Sequence, residues 1–175
     1  CDFIPTPLAQ AELEEFRALT NGKPNQHCLH YHYARLIETL HAAEVMRDLL
    51  HDPDLLKGEL TNTGEKYYKG IGVIEAPRGT LIHHYEINEH DQITRANLIV
   101  STTNNNEPMN QSVNQVAHAW MDGQPVITEP MMNAVEVAIR AYDPCLSCAT
   151  HALGQMPLEI SLYDASENLL DTKRT

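Results

Sequence analysis

The sequence predicts an α+β fold: mainly helical, with a small antiparallel β-sheet inserted between helices and a C-terminal β-hairpin-like tail. Three observations carry that expectation. Between residues 26 and 51, Leu29, Tyr33, Leu36, Ile37, Leu40, Ala43, Met46 and Leu50 recur at the three-and-four spacing of one helical face, which predicts a long helix. The runs 71–76, 81–87 and 93–100 are short and rich in β-branched and aromatic residues. They are separated by Pro77-Arg78-Gly79 and by a polar stretch from Asn88 to Gln92, which predicts three antiparallel strands. After Gln155, Leu158, Ile160 and Leu162 alternate with Glu159, Ser161 and Tyr163 ahead of a turn-like 164–168, the two-residue period of a strand that folds back.

The remaining elements follow from their ends. Thr6-Pro7 reads as an N-cap with proline at the first helical position, opening a short helix through Leu8, Phe16 and Leu19 that Asn21-Gly22 stops. Residues 58–70 are polar, contain Asn62 and Gly64, and read as a loop. After the polar stretch 101–108, Met109, Val113, Val116 and Trp120 predict a helix ended by Asp122-Gly123. Glu129-Pro130 opens one more, with Met131, Val135 and Ile139 on its apolar face.

Charge and composition narrow the function. Against 12 Lys plus Arg stand 24 Asp plus Glu, a formal charge of −12, and the basic residues are scattered, which argues against nucleic acid or anionic membrane as partners. No apolar run reaches the roughly 20 residues that span a bilayer, and no basic-then-apolar leader is present, so the expectation is a cytoplasmic protein. Cys1 in place of an initiator methionine suggests a piece of a longer chain.

Chemistry concentrates at Cys145 and Cys148, in the stretch Asp143-Pro144-Cys145-Leu146-Ser147-Cys148-Ala149-Thr150-His151. Asp143 as N-cap and Pro144 at the first helical position would open a helix at the cysteines, where the helix dipole favours the thiolate. Two thiols three residues apart can converge on one ion, while His151 projects further round the helix and suits a neighbouring centre. By themselves these residues leave open a structural zinc site, a redox pair or no chemistry at all. A small zinc-stabilised binding module using Cys145 and Cys148 is the competing reading from a different class. His27, His30 and His32 read as polar packing on the long helix, and His83 and His84, adjacent on a strand, point to opposite faces.

The 143–151 motif resembles the DPCxxCxxH signature of nickel–iron hydrogenase large subunits. The resemblance extends back through 72–79 (GVIEAPRG), 96–106 (ANLIVSTTNNN) and 28–44 (CLHYHYARLIETLHAAE). The 101–106 and 152–158 stretches look most like the NAD-reducing, bidirectional type, with the coenzyme F420-linked type as near competitor. The resemblance implies a Ni–Fe(CN)2(CO) centre on four thiolates from two CxxC motifs. Cys145 would match the terminal ligand and Cys148 the bridging one, and the other CxxC has no counterpart here. It implies that Arg78 contacts a cyanide, that Asp143 orients Arg78, and that Thr102, with Ser101 as the alternative, donates to the other cyanide. The spacing from Arg78 to that hydroxyl is one residue longer than the family pattern. His151 and the backbone carbonyl of Leu98 would hold a magnesium or iron ion.

The implied reaction is reversible heterolytic cleavage of dihydrogen, the first proton going to a cysteine thiolate or to Arg78. The implied partners are a small subunit with iron–sulfur clusters, diaphorase subunits, maturation chaperones and a processing endopeptidase. Residues 1–151 would be the C-terminal part of the large subunit, and 152–175 an extension cut away between His151 and Ala152. The isolated chain is expected to be inactive and to hold no bound cofactor.

Overall fold

The computed structural model describes residues 2–59, 61–144 and 158–174, which gather into two compact units, Cys1–Ile99 and Val100–Thr175. The first contains α1 (Pro7–Ala18), α2 (His30–Leu50), a single 3₁₀ turn at Pro53–Leu56, and strands β1 (Lys69–Ala76), β2 (Gly79–Ile87) and β3 (Ile93–Ile99). The second contains α3 (Ser101–Met121), α4 (Glu129–Arg140), β4 (Glu159–Tyr163) and β5 (Leu169–Arg174). The α+β class, the inserted antiparallel sheet and the tail hairpin are those the sequence predicts.

In the first unit, α1 starts at Pro7 behind an extended Thr6, as expected, but Thr6 does not cap its own helix. Its hydroxyl lies 2.9 Å from Nδ1 of His41 on α2. The cap comes from α2 instead: Glu44 accepts from the amides of Leu8 at 3.2 Å and Ala9 at 3.0 Å. The first amides of a helix have no partner inside it and sit at the positive end of its dipole, so a carboxylate suits them. Glu44 is only 4% exposed. Burial raises its pKa, but the Ala9 and Leu8 amides, the Thr6 hydroxyl and Arg47 outweigh that and hold the carboxyl below its ordinary value.

Ile4, Ala9, Leu13 and Ile37 form the seam between the two helices, with Phe16, Tyr33 and Leu40 packed at its edge. Tyr33 donates to Glu12 at 2.8 Å. That bond, helped by burial and by the charges of Glu12 and Glu15, pushes the phenol up to about 12. α2 begins at His30, later than its apolar pattern suggests, because the Asn25 side chain takes the His27 amide and the His30 ring and holds the residues before it in turns.

The three strands run in the order β1-β2-β3, each pair antiparallel. One face centres on Glu86, with Lys69 at 3.5 Å, His84 at 3.5 Å and Arg95 at 3.6 Å. On the other, the His83 ring meets the Tyr85 ring edge-on at 5.7 Å. The two adjacent histidines thus point to opposite faces, as strand geometry requires.

The second unit is built on α4, whose Met131, Met132, Val135 and Ala138 are buried. With Met121 and Ile127 they form the core, covered by Val113, Val116 and Ala117 of α3 and by Leu158, Ile160 and Leu162 of the tail. The alternation in the tail therefore has a direct cause: one side of β4 lies on that core. Asp171 of β5 also accepts from the Ile127 amide at 2.8 Å. In the hairpin turn, Asp164 accepts from the amides of Ser166 at 2.8 Å and Asn168 at 2.9 Å.

Two expectations are corrected here. The helix expected after the polar 101–108 already starts at Ser101, with Pro108 inside it. Thr103, Asn104, Asn106 and Glu107 face solvent, so no apolar periodicity marks that turn. Asp143 is not an extended N-cap: its φ is +50°, the left-handed region. The backbone after α4 closes through Tyr142 N to Ile139 O and Asp143 N to Arg140 O.

Candidate functional site

Arg78 lies at the tip of the β1–β2 hairpin. Ala76 pairs with Gly79, so Pro77 and Arg78 are the two residues of the turn, and Gly79 takes φ +127°, open to glycine but not to a side chain. The guanidinium is thus presented from an exposed loop end on a rigid two-stranded base. Leu98 lies on β3 opposite His83 of the same sheet. Both residues belong to the first unit.

Ser101 and Thr102 open α3 in the second unit, Ser101 buried and Thr102 half-buried. Asp143 is half-buried just past α4. Cys145, Cys148, His151 and Ala152 lie outside the described residues, as does the helix expected to open at the cysteines. Cys28 carries a free thiol, and among the described residues no three His, Cys, Asp or Glu side chains gather as a metal site. His27 and His30 meet edge-on at 5.3 Å, and His30 also packs against Phe16 and bonds to Asn25.

A groove of about 710 Å3 opens in the first unit, floored by Phe3, Leu13, Phe16 and Ile37. None of the described site residues inferred from sequence line it. Glu38 and Glu75 do, and burial together with the Glu75 charge raises the Glu38 pKa against the pull of Arg35 and His41.

One residue beside the motif has a part that the sequence did not suggest. Tyr142, 7% exposed, donates its hydroxyl proton to the Pro108 carbonyl at 2.9 Å and lies 2.7 Å from Ser112 Oγ. The signal for it was the helical period of α4: Val135, Ala138 and Tyr142 share one face, so the tyrosine had to be buried and its hydroxyl had to find a partner.

Known proteins resemble this chain along nearly its whole length. A family model described as nickel-dependent hydrogenase matches residues 16–151. The NAD-reducing hydrogenase HoxS subunit beta of Cupriavidus necator is 57% identical over 173 residues, which are 97% of this chain and 36% of that protein. The iron-sulfur subunit of an F420-non-reducing hydrogenase from Archaeoglobus profundus is 40% identical over 171 residues, 97% of this chain and 35% of that one. A crystal structure of an NAD+-reducing [NiFe]-hydrogenase in the H2-reduced state superposes with a TM-score of 0.79 at 53% identity, covering 86% of this chain and 33% of its counterpart. The chain spans about a third of the length of the curated relatives it matches.

Proposed function

The chain belongs to the nickel-dependent hydrogenase family, and we propose that it is the C-terminal third of the catalytic large subunit of a nickel–iron hydrogenase of the NAD-reducing, bidirectional type. The observation that carries this reading is a coincidence: the 143–151 motif ends at His151, and so does the family match. The 57% identity to a protein named for NAD reduction favours NAD over coenzyme F420 as the acceptor chemistry. Among the described residues no helix is long and apolar enough to cross a membrane.

The donor set fits the group. Thiolates are soft donors suited to nickel, and Cys145 and Cys148 would supply two of them. The other two thiolates would come from a second CxxC, which has no counterpart in this sequence, where Cys1 and Cys28 stand singly. When bound, the Ni–Fe(CN)2(CO) centre supplies the heterolytic cleavage of dihydrogen. Arg78 would give a planar, permanently charged donor to one cyanide of that centre, a role that lysine, a point charge without the fork, would not fill. Asp143 would orient Arg78, and the Thr102 hydroxyl, or that of Ser101, would donate to the second cyanide. His151 and the Leu98 carbonyl would hold a magnesium or iron ion, and a cysteine thiolate or Arg78 would be the first proton acceptor.

Electrons leave through iron–sulfur clusters of a small subunit towards diaphorase subunits. Residues 152–175 are a maturation extension, retained until chaperones have loaded the metal and an endopeptidase has cut after His151. The test is to mix the complete, nickel-loaded subunit with that endopeptidase and weigh the product. Loss of 152–175 is expected, and loss of any other segment would sink the processing assignment. In the complete enzyme, Arg78→Lys is expected to keep nickel while lowering hydrogen turnover roughly tenfold or more. Near-normal turnover would remove Arg78 from the site.

A further inference from the structure

We draw no further inference here: the strongest candidate, the apolar groove of the first unit floored by Phe3, Leu13, Phe16 and Ile37 and lined also by Glu38 and Glu75, carries nothing, because nothing in the structure shows what covers it.

Discussion

α4 buries most of its apolar residues inside its own unit, whereas those of α2 are spread round the helix and many are left exposed. Met131, Met132, Val135 and Ala138 are all buried, and Glu136 and Arg140 pair on the side away from them. α2 buries Ile37 and Glu44 against α1 and leaves Leu36 66%, Met46 59% and Leu50 73% exposed. Leu29, Leu36, Ala43 and Leu50 repeat every seven residues along a side that α1 does not reach. A helix apolar on two sides carries more apolar surface than one neighbour can cover. The difference teaches that α4 belongs to a finished core, while the sequence of α2 carries surface that its own unit does not use.

The largest expected effect tests the finished core. Val135→Asp puts an unpaired charge among Met121, Ile127 and Met131 and is expected to cost upwards of about 3 kcal/mol in denaturant unfolding. Next comes the buried carboxylate of α2. Glu44→Ala leaves the Leu8 and Ala9 amides without their acceptor and is expected to lower the thermal midpoint by several degrees.

The same residue predicts a pH dependence. The folded pKa of Glu44 lies below its unfolded value, so its contribution is complete above the ordinary carboxylate pKa and fades as pH falls through the lowered folded value. Acid titration of stability should therefore be shallower in Glu44→Gln than in the unsubstituted chain. The smallest effect tests the unused side. Leu36→Asp in this chain is expected to change unfolding by no more than about 0.5 kcal/mol. A cost approaching that of Val135→Asp would erase the contrast between the helices.

α4 and the tail hairpin were legible because burial on one face writes a period of between three and four, or of two, into the residues themselves, whereas β1 and β3, mostly exposed, were legible from β-branched and aromatic runs between turns. α3 was legible only from Met109 onward, since its first turns are polar and Pro108 reads as a breaker, although the helix runs through it. The Glu44 cap and the Tyr142 clamp were not legible, because each joins residues at least 30 positions apart, and no local pattern reports such a bond. The residue types of the candidate site stood out in the sequence. Their local settings did not: Arg78 on a two-residue turn and Asp143 in the left-handed region are properties of backbone closure, which side-chain identity only permits.

Leu158, Ile160 and Leu162 hold the β4–β5 hairpin on the α3–α4 core, and Asp171 ties it to Ile127. While the chain is continuous, those contacts compete against nothing but local motion, because covalent continuity keeps the hairpin at an effective concentration on the order of millimolar. The proposed cut after His151 would turn the hairpin into a separate solute, held only by mass action at its own free concentration. A lone two-stranded hairpin is marginal in water, so it would unfold as it left, and returning would require ordering it again. Dilution alone would then make its departure one-way and leave the apolar face under Ile160 and Leu162 uncovered for whatever binds next.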